Sequence, residues 1–167
     1  MAQDHVEAAK WWRKAAEQGD ANAQCSLGMA YDNGTGVPKD SAKAVNWVRK
    51  AAEQGSAKAQ YNLGRMYNFG DGVAKDSGEA VKWLCKAANQ GNVQAEGKLW
   101  MFYEIGEGVP KDEIEALAWL NVAAASGDET LVNQRDSLEK HLGLEATLLS
   151  QQRSKEIFSK IEANKDE

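Results

Sequence analysis

GTGVPKDSAKAVNWVRKAAEQG, residues Gly34–Gly55, decides the fold because it returns. Thirty-six residues later Gly70–Gly91 reads GDGVAKDSGEAVKWLCKAANQG, and after the same interval Gly106–Gly127 reads GEGVPKDEIEALAWLNVAAASG. The chain opens on the tail of another copy, AAKWWRKAAEQG at Ala8–Gly19. Trp11, Trp47, Trp83 and Trp119 keep this spacing, as do Gly19, Gly55, Gly91 and Gly127. A fixed period of this size marks a stacked repeat architecture, in which each copy buries its apolar face against its neighbours.

Two helical patterns alternate within each copy. Ala21–Asn33 carries Ala23, Leu27 and Tyr31 at i, i+4 and i+8; the pattern beginning at Asp40 carries Ala44, Trp47, Val48, Ala51 and Ala52. Both spacings place one apolar stripe on a helix and neither suits a strand. Asp40, Asp76 and Asp112 stand at N-cap positions, and Glu79 and Glu115 follow three residues after theirs, as in a capping box. The four period-related glycines suit the left-handed position past a helix end. Pro38 and Pro110 keep the loop between the helices from becoming helical. Gly28 and Gly64 allow two backbones to approach, and each period-related tryptophan fills the space beside that contact, so Trp47→Ala is expected to cost about 3–5 kcal/mol.

These residues resemble the Sel-1-like repeat family, a relative of the tetratricopeptide αα-hairpins with a longer connecting loop. The resemblance runs through Ala23, Leu27-Gly28, Tyr31, Gly34, Gly36-Val37, Lys39-Asp40, Lys43-Ala44, Trp47, Lys50-Ala51-Ala52 and Gly55, and covers about three-quarters of the chain. It implies an all-α fold, a right-handed α-solenoid of 36-residue helix-turn-helix repeats closed by a helical C-terminal cap. The expected organisation is one solenoid domain: a leading half repeat at 1–19, repeats at 20–55, 56–91 and 92–127, and capping helices at 128–167. It also implies a non-catalytic adaptor that binds a protein or peptide along a concave groove lined by the first helix of each hairpin. Such proteins are common in bacterial envelope, secretion and host-interaction systems, so a structural or regulatory segment of a larger envelope or secreted protein is the alternative.

Carrying the hairpin geometry over residue by residue puts Asn22, Cys25, Met29 and Asp32 on the groove in the first copy. Lys58, Tyr61, Arg65 and Asn68 follow in the second, and Gln94, Gly97, Met101 and Glu104 in the third. Tyr61, Met29, Met101 and Arg65 are of the types enriched at hot spots or adaptable interfaces, with Arg65 central. The third copy departs from the pattern: Trp100 replaces the close-contact glycine, and Gly97 stands where Cys25 and Tyr61 stand. Trp100 reads as an adaptation to the cap, or else as an aromatic anchor for a partner. Beyond Gly127, Asp128–His141 resembles one more first helix and Ser150–Ala163 a last helix with Ile157, Phe158 and Ile161 on one side. The terminal residues EANKDE are expected to fray. At the other end, Trp11 or Trp12 offers a surface for self-association.

Composition narrows the remaining functions. The formal net charge is −5 with no basic stripe, which speaks against nucleic acid. No apolar run reaches the roughly 18 residues of a membrane span. The polar N-terminus shows no signal peptide, so the cytoplasm is the default compartment, with periplasm or export open to a chain with a signal upstream. Cys25 and Cys85 fall at different phases of the repeat and read as two free, buried or half-buried thiols. The repeated cysteine pairs of family members discussed as penicillin binders are absent. His5 and His141 lie far apart, no metal-ligand spacing occurs, and the Gly-x-Gly loops lack the nucleotide fingerprints, so neither cofactor nor metal is expected. Asp32-Asn33-Gly34 lacks the later ligands of a calcium loop. Ser137–Lys140 matches Ser-x-x-Lys by chance, without its companion motifs. A hydrolase would need a compact polar pocket that the repeats do not provide; the chain is not expected to be an enzyme.

Overall fold

A computed structural model describes residues 2–164, which hold nine helices and no strand. They are α1 (Ala2–Glu17), α2 (Ala21–Asn33), α3 (Ser41–Glu53), α4 (Ala57–Phe69), α5 (Ser77–Ala88), α6 (Val93–Ile105), α7 (Glu113–Ala124), α8 (Glu129–Leu142) and α9 (Leu144–Ala163). Of the terminal EANKDE expected to fray, Glu162 and Ala163 complete α9, Asn164 caps it and donates to the Asn89 carbonyl at 2.9 Å, and 165–167 lie outside the described residues. Helix-turn-helix repeats succeed one another along the chain, the arrangement of an α-solenoid. The chain falls into two compact units, residues 1–83 and 84–167, with the boundary inside α5.

In the first unit α1 packs on α2, α2 on α3 and α3 on α4. Leu27, Ala44, Val48, Ala51, Leu63 and Met66 form a dry core. Gly28 is required there: a Cβ would stand 2.6 Å from Val48 Cγ2 and 3.0 Å from the Ala44 carbonyl oxygen. Its close contact is thus with the second helix of its own hairpin.

Three contacts, two polar and one steric, join the first full copy to the leading half repeat and recur between the first and second full copies. Gln24 Nε2 donates to the Ala16 carbonyl at 3.1 Å, and Gln60 Nε2 to that of Ala52 at 3.2 Å, each adding a second donor to a helix-end carbonyl that already accepts from the Gly19 or Gly55 N–H. Arg13 Nη2 donates to Tyr31 Oη at 2.7 Å, and Arg49 Nη2 to Tyr67 Oη at 2.9 Å. The second loop glycine lies flat on the N-terminal turn of the preceding second helix: a Cβ on Gly36 would stand 2.1 Å from the His5 carbonyl oxygen, and one on Gly72 2.1 Å from that of Ser41.

The expected N-caps form, with Asp40, Asp76 and Asp112 each accepting from the backbone N–H three residues on at 2.9 Å. The reciprocal arm of the capping box does not form. Asp40, Asp76 and Asp112 give their own N–H groups to Tyr31, Tyr67 and Tyr103 carbonyls at 2.9–3.0 Å, so no donor is left for a glutamate. Glu79 pairs with Lys82 instead, while Glu115 accepts from Trp119 Nε1 at 3.1 Å and from Arg153 Nε at 2.7 Å.

In the second unit α7 is the centre, packed against α6, α8 and α9. Ala116 to Leu120 are all buried, which is why this helix is apolar all round. The last helix is longer than its sequence suggests: α9 begins at Leu144 rather than Ser150, because Gly143 alone (φ 83°) turns the chain where other copies use a full loop. Ile157 and Ile161 of α9 are buried as expected, but Phe158 is 36% exposed.

The tryptophan expectation needs correction. Exposure is 62% at Trp11 and falls to 9% at Trp83 and 4% at Trp119. Trp47 is half-buried, with the Lys50 ammonium 4.4 Å from its ring centroid. The full truncation penalty therefore belongs to Trp119 rather than Trp47.

Candidate binding faces

Within the first unit, Asn22 and Lys58 are exposed and Met29, Tyr61, Arg65 and Asn68 half-buried. Cys25 and Asp32 are not open surface. They are 3% and 9% exposed, because residues of α4 cover them. Asn62 Nδ2 donates to Cys25 Sγ at 3.7 Å, and Arg65 Nη2 meets Asp32 Oδ2 at 2.6 Å. Arg65 also reaches Asp71 at 3.6 Å, so its guanidinium ties α4 to α2 and to the loop after α4. An arginine held between two carboxylates already makes charge-assisted bonds within the fold.

Met29 and Lys58 do come together. With Trp12, Ser26, Ala30, Asn33 and Thr35 they line an open cleft of about 290 Å³. Trp12 arrives from α1, at the phase held by the fully buried Val48 one repeat later. Of the tryptophans expected to form an adhesive end, Trp12 thus lies in this cleft, and Trp11 stands in solvent under the Lys14 ammonium at 5.0 Å. The sequence did contain the signal for Trp12: it is the one aromatic at a phase otherwise occupied by Val48, Leu84 and Leu120.

On α6, Gln94 and Met101 are exposed and Glu104 and Gly97 half-buried. The nearest atoms to a Cβ on Gly97 would be the Leu131 methyls of α8, at 3.6 and 3.9 Å. Trp100 and Glu104 line a cleft of about 410 Å³ with Gln134, Ser137, Leu138 and His141 of α8.

Neither cysteine is poised for chemistry. Both are free thiols, Cys25 buried and Cys85 partly so. Burial raises both pKa values, and Cys85 is pushed up to about 11 by burial and then by the Glu115 charge. Tyr103, at the phase of Tyr31 and Tyr67, faces Cys85 where those two meet arginines. Burial, then Cys85 and Glu115, push its phenol up to about 12. Below the ordinary values of 9.0 and 10.0 both groups are protonated folded and unfolded, so neither adds any pH dependence to stability there. Above them only the unfolded chain ionises, and stability falls as pH rises through 9 towards 11 and 12. The urea midpoint should be flat to about pH 8.5 and fall beyond it, with the fall above about pH 10 reduced in Tyr103→Phe. A midpoint that stays level to about pH 11 would contradict this assignment.

Among the described residues no group of His, Cys, Asp and Glu is disposed to hold a metal ion, and no helix is long and apolar enough to cross a membrane.

The family model for the Sel1 repeat matches residues 1–20, 21–56, 57–92 and 97–128. Among solved structures, the chain is similar to c5321, described as a protective antigen present in uropathogenic Escherichia coli strains displaying an SLR fold. That match has a TM-score of 0.81 and 34% identity, and covers 95% of this chain and 34% of that one. A Sel1 repeat protein from Oxalobacter formigenes matches with a TM-score of 0.68 and 40% identity, over 78% of this chain and 56% of that one. Helicobacter pylori cysteine rich protein B matches with a TM-score of 0.62 and 26% identity, over 80% of this chain and 96% of that one. No curated protein matches. The chain belongs to the Sel1 repeat family, whose members are generally protein-interaction scaffolds and typically non-catalytic. It spans about a third of the c5321 chain and about half of the Oxalobacter chain.

Proposed function

We propose that this chain is a non-catalytic adaptor whose first unit binds a protein segment across the face formed by α2 and α4. The observation that carries this reading is the meeting of Trp12, Met29 and Lys58 in one cleft. An aromatic ring and a thioether give adaptable apolar contact at low ordering cost, and Lys58, exposed and without an ion pair among the described residues, offers a charge at the rim. Tyr61 and Asn68 extend the same helix face. Asn22 serves as its polar border, while Cys25, Asp32 and Arg65 hold the two helices in register beneath it.

A photo-crosslinking amino acid at position 29 should capture a discrete partner from lysate of the source cells, and Lys58→Ala in the same chain should abolish or strongly weaken the band. The same group at exposed Asn46 of α3 should capture none. Equal capture from positions 29 and 46 would remove the α2/α4 assignment.

A second reading makes the chain an interaction segment of a larger envelope or host-interaction protein. The likeness to c5321, an antigen of a uropathogen, favours it. Its test is protease accessibility of the protein on intact cells, and complete protection would reject it.

A further inference from the structure

The acidic charge of this protein is unevenly placed. Residues 1–83 are nearly neutral, whereas residues 84–167 hold 15 of the 25 acidic residues and only 9 of the 20 basic ones. Within that acidic half, the cleft between α6 and α8 combines an indole with a carboxylate. Trp100 and Glu104 are one helical turn apart on α6, and α8 adds Gln134, Ser137, Leu138 and His141. No lysine or arginine is among these lining residues. Glu104 makes no ion pair among the described residues, and Lys111, whose ammonium feels its charge, is bonded to Glu113 at 2.7 Å. The carboxylate is therefore unspent.

We infer that the Trp100–Glu104 cleft receives an arginine side chain of a basic partner segment. A guanidinium is planar and weakly hydrated, so it lies against an indole face while its N–H groups reach a carboxylate. Its five donors exceed what one carboxylate accepts, and the Ser137 hydroxyl and the Gln134 side-chain carbonyl supply further acceptors. An acidic or purely apolar side chain would leave Glu104 opposed or unpaired, and the surrounding excess of carboxylates attracts a basic segment towards the cleft. The substitution explains itself in these terms. Gly28 and Gly64 at this phase leave no side chain to bind with, and Trp100 supplies an aromatic surface where the repeat pattern has none. The inference rests on the reading of this chain as a protein-binding module and adds a second contact point with defined chemistry.

The test is an NMR titration of the full chain with acetyl-Gly-Gly-Arg-Gly-Gly-amide, beside the same peptide with neutral, isosteric citrulline at the centre. The Trp100 indole N–H, assigned by its loss in Trp100→Phe, should shift together with the Ser137 and His141 amides. Citrulline should bind at least fivefold more weakly, and Glu104→Gln should weaken the arginine peptide by a similar factor. Equal shifts from the two peptides, or an undiminished response in Glu104→Gln, would overturn the inference. Absence of any shift at Trp100 would overturn it too. Shifts confined to Met29 and Lys58 would do the same while leaving the α2/α4 face standing. Crosslinking from position 29 judges that face independently, so the two failures are separable.

Discussion

Gly72→Ala unfolds at a much lower urea concentration than the parent chain, with a loss of about 2–5 kcal/mol. Two costs add. Gly72 has φ +72°, where an alanine pays about 1–2 kcal/mol of backbone strain. Its Cβ would also stand 2.1 Å from the Ser41 carbonyl oxygen and 2.4 Å from the carbonyl carbon. Those atoms are backbone at the start of α3, so relief requires moving a helix, and overpacking of this kind costs about 1–3 kcal/mol. Gly55→Ala is the control. It has φ +96° and nothing within 4 Å of a new Cβ, so it carries the strain alone. Equal losses from the two variants would show that the loop does not rest on α3 in solution.

Trp119→Ala is the second large effect, at about 3–5 kcal/mol. Its indole is 4% exposed on a helix whose neighbouring positions, Ala116 to Leu120, are all buried, and its Nε1 donates to Glu115. Removing the ring leaves a cavity in that packing and takes one partner from a carboxylate that also anchors Arg153 of α9. Trp47→Ala, at the same repeat phase, should cost less than half as much, because that ring is already half in solvent beneath Lys50. Chemical denaturation of both variants decides the point. A larger loss at Trp47 would reverse the burial order of the two rings.

The sequence carried the helices well, because period, caps and glycine stops agreed with one another. The span predicted for Ala21–Asn33 is that of α2. It also placed the core stripe, since Leu27, Ala44, Val48 and Ala51 repeat with the helical spacing. What it did not carry was how one copy meets the next. The tryptophans looked equivalent by phase, yet their burial depends on which helices stand beside them. Cys25 and Asp32 had the spacing of surface positions but are covered by Asn62 and Arg65, side chains from the following copy that are long enough to reach back. The burial of Gln24 and Gln60 had no sign in the sequence, because a side chain that bonds another helix's carbonyl has no local signature. The early start of α9 was hidden by a single glycine doing the work of a longer loop.

The seat of the second loop glycine has a bearing on how such a chain can change over generations. Gly36 rests on His5 and Gly72 on Ser41, each meeting the backbone of the helix one copy earlier. Because the seat asks little of the side chains beneath it, an identical copy can be spliced after any other and find its place ready. Duplication of a 36-residue block would therefore lengthen the protein without disturbing what is already built. The last copy is exempt, since Arg153 of α9 is bonded to Glu115 and cannot be passed forward. Copy number is thus a variable open to recombination wherever successive copies share this seat.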